Sequence, residues 1–183
     1  MDKPMEAGSK PRVGISACLA GRNVRYDGAN KYDESLISAL EKVAEPVLFC
    51  PEMEIGLGAP RDPLRLYGDP QNPRALSIGT GGADVTDKLE AAGGDFVRKS
   101  GICGFIGKGR SPSCGHKSAE VYDNEGGLTS QAGSGVFVNS ISRTAPDMPV
   151  EEAESLCGKT AFDRFMERVV EYSSLHGERG AGA

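Results

Sequence analysis

The chain has 183 residues, a net charge of −5, and 38% hydrophobic against 26% charged residues. That length suits one compact domain burying about two-thirds of its unfolded surface, and the acidic balance excludes a protein that binds nucleic acid through its overall charge. No apolar run reaches the length of a membrane span, and the opening MDKPMEAGSKPR lacks the apolar middle of a secretory signal, so the expected compartment is the cytosol.

Residues 1–11 read as a disordered lead. RVGISAC, 12–18, is a short apolar run and predicts a strand; the Gly-, Asn- and Asp-rich LAGRNVRYDGANK after it predicts a loop. DESLISALEKVA, 33–44, places Leu36, Ile37, Leu40 and Val43 at helical spacing, with Asp33 as its cap. VLFC, 47–50, predicts a second strand stopped by Pro51, and the proline-rich stretch that follows predicts a long loop, with a weak strand at ALSIG, 75–79. DVTDKLEAAGGDFVRKSG predicts a helix around a Gly-Gly interruption, ICGFIG, 102–107, a third strand, and SAEVY a short extended stretch. SGVFVNSISRTA, 134–145, predicts a helix and MPV, 148–150, a final strand. TAFDRFMERVVEYSSL carries Phe162, Phe165, Met166, Val169 and Val170 on one stripe, the mark of a docked amphipathic helix. Residues 176–183 read as a flexible tail. Apolar strands alternating with helices predict a single α/β domain over 12–175, a mostly parallel sheet flanked by helices.

The five cysteines stand at 18, 50, 103, 114 and 157. Their number is odd and no CxxC pair occurs, so neither a disulfide framework nor a zinc ribbon fits. Cys18 ends the first strand run, Cys50 ends the second, and Cys114 sits in the turn RSPSCG just after the third. Parallel strands deliver their carboxyl ends to one edge, where sites of open α/β sheets form. Three thiols far apart in sequence are therefore expected at one rim. Three thiolates suit an iron–sulfur cluster with one iron left open, or zinc with His116 as fourth ligand; three ordinary buried cysteines are the plain alternative. Cys103, inside an apolar run, and Cys157, near a helix start, read as core or incidental thiols.

Neighbouring residues add chemistry. Glu52 lies two residues from Cys50, a suitable place for a general acid or base. Ser111 and Ser113 flank Pro112 and can donate hydrogen bonds to sulfur or substrate, or close the turn. Tyr26 and Asp27, in RYDG, offer a stacking ring and a carboxylate for an amide N–H. Arg22, Arg25, Lys31, Arg61, Arg65, Lys108, Arg110 and Lys117 all fall in predicted loops, so a local basic face is compatible with the acidic total.

SACLAGRNVRYDG, FCPEMEIGLGAPRDPLRL and KGRSPSCG, in that order, resemble the thiouracil desulfidase (TudS-like) family over about residues 12–150. GVFVNSISRTAPDMPVEEAESL and the helix after it resemble the branch similar to tRNA 4-thiouridine desulfidase, in which a second, C-terminal domain is usually fused. The resemblance implies a Rossmann-like fold and a [4Fe-4S] cluster on Cys18, Cys50 and Cys114, with one iron open to the sulfur of a thiolated pyrimidine. It implies Glu52 as acid/base with a serine of the Ser-Pro-Ser turn assisting, taken as Ser111, and a hydrolytic, non-redox reaction; Tyr26, Asp27 and Ser113 are the expected substrate contacts. Water replaces sulfur on a substrate of the 2-thiouracil or 4-thiouridine type, and hydrosulfide leaves. The chain departs from the fused branch at Gly109, where Ser is common, and at Ala29-Asn30, where Gly-His or Gly-Asn is common. Because the sequence stops soon after the helix, action on free thiolated bases or nucleosides is expected, with tRNA recruited, if at all, through the basic loops. The alternative function is a sulfur-trafficking or sensor protein carrying an iron–sulfur cluster.

Overall fold

The computed structural model describes residues 10–79 and 81–176, so the disorder expected over 1–11 and 176–183 falls almost wholly outside the described residues. In chain order the elements are β1 (Arg12–Ser16), α1 (Glu34–Val43), β2 (Glu45–Phe49), α2 (Pro51–Glu54), β3 (Leu64–Tyr67), β4 (Arg74–Ser77), α3 (Thr86–Ser100), β5 (Phe105–Gly107), β6 (Ala119–Tyr122), β7 (Leu128–Gly133), α4 (Val136–Thr144), β8 (Val150–Glu152) and α5 (Lys159–His176). Single 3-10 turns cover Ala17–Ala20 and Ala153–Leu156.

The first sheet has the order β2-β1-β5-β8. Every pairing in it is parallel, with β1 in register against β2 from Arg12↔Glu45 to Ser16↔Phe49. Its central strands β1 and β5 are apolar because both faces are covered. One face buries Val13, Ile15 and Ile106 against Leu36 and Leu40 of α1 and Phe165 and Val169 of α5. The other buries Phe105 against Phe96 of α3 and Phe137 and Ile141 of α4. Phe49 stacks there on Phe96 and Phe137, with ring centroids 4.2 and 5.3 Å away. Asp33 caps α1 as expected, accepting from the Leu36 amide at 3.0 Å. α3 runs unbroken through its Gly-Gly pair. A Cβ on Gly93 would stand 2.7 Å from the Phe137 carbonyl and the Ser140 Cβ, so the glycine lets α3 and α4 approach closely.

The second sheet, β4-β3-β6-β7, is mixed: β3 pairs antiparallel with β4 and parallel with β6, and β6 pairs antiparallel with β7. It corrects the expectation of a long loop after Pro51, which holds α2 and β3. Leu64 and Leu66 of β3 point inward while Arg65 and Tyr67 point out, the alternation of a half-buried strand. Val121, Leu89 and Val136 complete that smaller core.

Strand ends shift as well. β1 stops at Ser16, so Cys18 lies in the 3-10 turn beyond it, and β2 begins at Glu45 and carries Pro46, tolerated because β2 is an edge strand. β5 spans only Phe105–Gly107, which leaves Cys103 ahead of the strand, buried in the core. No helix among the described residues is long and apolar enough to cross a membrane.

Candidate active site

β1, β2 and β5 run parallel, so their carboxyl ends open on the same edge of the sheet. Cys18 sits in the turn after β1, and its carbonyl accepts the Lys31 amide at 2.9 Å, which fastens the turn to the following loop. Cys50 directly follows β2 and precedes α2. Cys114 lies in the Ser-Pro-Ser turn after β5. There the Ser111 hydroxyl oxygen accepts the amides of Ser113 at 3.2 Å and Cys114 at 3.0 Å. The first amides of α4 hold the same turn from behind: Val136 N–H donates to the Pro112 carbonyl at 3.0 Å and Val138 N–H to that of Ser113 at 3.2 Å. A helix start leaves such amides without intrahelical partners, and the turn supplies them. Gly135 makes the contact possible, since a Cβ there would lie 2.3 Å from the Ser113 carbonyl group.

Cys18, Cys50 and Cys114 line one cavity of about 520 Å³. Glu52, Ser111 and Tyr26 line it too, as do Arg25, Lys31, Arg61, Lys108 and Arg110. The structure therefore gathers the three expected thiols, the expected carboxylate and five of the cations expected in loops. Ser113 is fully buried behind this wall and donates its hydroxyl to Glu52 Oε1 at 2.8 Å. Asp27 is not among the lining residues; its carboxylate accepts from Arg25 at 3.3 Å and from the Ala29 amide at 3.0 Å. Cys103 and Cys157 stand elsewhere, the first buried and the second exposed, and all five cysteines are free thiols.

Arg61 carries no role in the sequence reading beyond a loop charge. Its Nε donates to Glu52 Oε2 at 2.7 Å, and both side chains are nearly shielded from solvent, with 7% and 13% of their surface exposed. The pair closes across a Gly- and Pro-rich loop, and no periodicity in such a loop reports which arginine turns inward. Ser16 was likewise silent, the last residue of an apolar strand. Its hydroxyl accepts the Lys108 amide at 3.0 Å and hydrogen-bonds the Cys114 thiol.

Burial pushes all three thiols above their ordinary range. For Cys18 the charge of Cys50 adds to burial, while Arg25 and Lys108 pull the other way. For Cys50 burial is again the largest cause, with Glu52 adding and Arg61 opposing. Cys114, the most deeply buried, is raised furthest; Ser16 opposes, and the other two thiols and Glu52 add. Three buried thiols in a low-dielectric pocket become thiolates when a cationic group binds them. Soft sulfur donors select soft metals. Among the described residues no three His, Cys, Asp or Glu side chains converge tightly enough for a single ion. The thiols border a cavity instead, which suits a group wider than one ion. His116, the fourth ligand of the zinc alternative, lines a different cavity, against Met148, Arg168 and Tyr172.

The family model for 2-thiouracil desulfurase matches residues 13–153. The chain belongs to that family. The matched span holds every lining residue of the cavity that Cys18, Cys50 and Cys114 share. Among solved structures, one described as a [4Fe-4S]-dependent thiouracil desulfidase, TudS, is similar with a TM-score of 0.63 and 30% identity, covering 80% of this chain and 93% of that one. An uncharacterized Bacillus subtilis (strain 168) protein, YbbK, is 30% identical over 129 residues, 67% of this chain and 83% of its own length.

Proposed function

We propose that the protein is a [4Fe-4S]-dependent, non-redox desulfidase that converts a thiolated pyrimidine to its oxo form. The observation that carries this reading is the meeting of Cys18, Cys50, Cys114 and Glu52 on one cavity at the carboxyl edge of a parallel sheet. Cys18, Cys50 and Cys114 would hold the cluster, and the iron left without a protein ligand supplies a soft Lewis acid for the thiocarbonyl sulfur. Glu52 takes a proton from the water that adds to the ring carbon and returns it to the departing sulfur. Carbon–oxygen bond formation and carbon–sulfur cleavage then consume one water and release one hydrosulfide, with no electrons gained or lost. Ser111 accepts two amides through its oxygen, which leaves its O–H to donate into the cavity. Tyr26 gives the pyrimidine a ring to stack on. Asp27 acts at one remove, by holding Arg25 beside that ring, and Ser113 acts by orienting Glu52. The substrate is a free base of the 2-thiouracil type or a nucleoside of the 4-thiouridine type, and Lys31 and Arg110 on the cavity wall, with Arg25 and Lys108, would meet phosphates where the thiolated pyrimidine is carried by tRNA. Five free thiols suit a reducing cytosol.

The test is anaerobic reconstitution, assay of bound iron and sulfide, and measurement of hydrosulfide released from 2-thiouracil and 4-thiouridine. Wild-type protein should carry both elements and turn over at least one substrate. Glu52→Gln should keep the cluster and lose about 10²–10⁴-fold in kcat, the usual worth of a positioned acid/base group. A cluster-bearing protein that turns over neither substrate would leave the sulfur-carrier or sensor reading in its place.

A further inference from the structure

We propose that Arg61 is a positioning residue that ties the Glu52 carboxylate to the cavity wall formed by residues 24–26, so that one guanidinium sets both the proton-transfer group and the surface the substrate meets. This inference rests on the desulfidase reading. The guanidinium uses each of its three nitrogens on a different piece of chain. Nε donates to Glu52 Oε2 at 2.7 Å, Nη2 to the Val24 carbonyl at 2.8 Å, and Nη1 to the Gly58 carbonyl. The Arg61 backbone amide donates to the Tyr26 carbonyl at 2.8 Å, so the same residue grips the 24–26 segment twice. Val24, Arg25 and Tyr26 all line the cavity. The remaining oxygen of Glu52 is held by Ser113, which the turn bearing Cys114 places. Glu52 is thus fixed from two sides: Ser113 links it to the thiol turn and Arg61 links it to the substrate wall.

Lysine cannot do this. An ammonium is a compact point charge on a flexible stem, whereas the planar fork directs donors along fixed lines to three acceptors at once. A displacement of about 1 Å in a catalytic group costs on the order of 10²-fold in rate, and a loosened 24–26 segment weakens substrate binding. Arg61 therefore acts on kcat through Glu52 and on KM through the wall.

The experiment uses reconstituted wild-type, Arg61→Ala, Arg61→Lys and Arg61→Gln proteins. It reads iron content, kcat and KM for 2-thiouracil and 4-thiouridine, amide hydrogen exchange over residues 24–28, and the response to millimolar guanidinium ion. The expected result is iron retained, kcat lower by about 10²-fold, KM raised, and faster exchange over 24–28 in all three variants. Guanidinium should partly restore Arg61→Ala and do nothing for Arg61→Lys; a loss of global stability would not be rescued by a denaturant's cation. Unchanged exchange over 24–28, or kcat and KM within about two-fold of wild type, would overturn the assignment. If wild type binds a cluster but turns over neither substrate, the desulfidase reading fails instead. The exchange comparison still decides whether Arg61 ties the wall, and should Arg61→Ala fail to fold, Arg61→Lys and Arg61→Gln decide it.

Discussion

In the parallel sheet three strands end at the same cavity, and a thiol follows each end: Cys18 and Cys50 at once, Cys114 in the turn beyond Gly107. In the mixed sheet no strand delivers a thiol or a carboxylate to that cavity. Only Leu64 of β3, with Arg61 and Pro63 just before it, reaches the wall. Both sheets are short and both bury apolar side chains, so the contrast is one of direction. Parallel strands must all finish on one edge, which concentrates side chains from distant parts of the sequence; antiparallel neighbours finish at opposite ends and disperse them. The mixed sheet is the buttress of the site, and its contribution is to hold the loop that carries Arg61.

Cysteine substitutions break this comparison most sharply. Cys18→Ala, Cys50→Ala and Cys114→Ala should each abolish iron and sulfide binding in the reconstituted protein, along with all turnover. Cys103→Ala and Cys157→Ala should leave both intact, since one thiol sits in the core and the other on the surface. Iron retained in Cys114→Ala and lost in Cys103→Ala would reverse the ligand assignment. A large change in the buttress should have a different signature. Leu66 is fully buried among Leu64, Leu89 and Val121, so Leu66→Ala should cost about 2–5 kcal/mol of stability, read by denaturant unfolding. The folded fraction should still bind iron in the wild-type ratio. Loss of iron without loss of stability would show that the second sheet shapes the thiol rim directly.

The parallel half was legible because its signals are local and redundant. An apolar run buried on both faces reads as a strand wherever it stands, and the thiols after residues 16, 49 and 107 could be placed on one rim from the topology alone. The mixed half was not. Four-residue strands such as Leu64–Tyr67 sit among prolines and glycines, and their two buried leucines are too few to outweigh the turn signals around them. β7 spans Leu128–Gly133 and is exposed along most of its length, so it carries almost no hydrophobic pattern to read. At the site, residue type and neighbourhood pointed to Glu52 and the serines. The roles of those serines depend on side-chain direction: Ser111 turns back onto the amides of its own turn, and Ser113 turns inward to Glu52. Arg61 reaches its three acceptors only once the loops between residues 22 and 61 have folded against one another.

A subtler break lies where the thiol turn meets α4. Gly135→Ala puts a methyl group 2.3 Å from the Ser113 carbonyl group, so backbone has to move. The expected cost is about 1–3 kcal/mol, as for overpacking elsewhere, together with faster loss of iron under chelator challenge, because the displaced backbone carries Cys114. The equivalent change on the outer surface, Gly126→Ala, meets nothing within 4 Å, though its φ of +88° strains any side chain. It should lower stability without touching iron retention, and equal chelator sensitivity of the two variants would show that close packing against α4 does not secure the turn.

The smallest effect expected concerns the junction of the mixed sheet with α3, and it is best seen through pH. Asp84 Oδ1 accepts the Thr86 amide at 3.0 Å and the Thr86 hydroxyl at 2.6 Å, and Oδ2 accepts Arg74 Nε at 2.6 Å. Burial pushes this carboxyl up, but the hydrogen bonds from Thr86 and Arg74 outweigh it and hold the group below the usual carboxylate range. A carboxyl depressed in the folded state contributes stability at pH values above its unfolded value, about 3.9. That contribution fades as pH falls through the lower folded value, where both states are protonated. Asp84→Asn keeps an acceptor for the Thr86 amide and removes the titration. The variant should therefore be less stable than wild type at neutral pH by a modest margin, since Arg74 is more than half exposed and the ion pair is screened. The margin should narrow as the pH drops below about 4. Parallel urea titrations at neutral and acidic pH measure it. A margin that stays constant across that range would mean that Asp84 acts through hydrogen-bond geometry alone, and that the buttress, unlike the thiol rim, owes nothing to charge at this position.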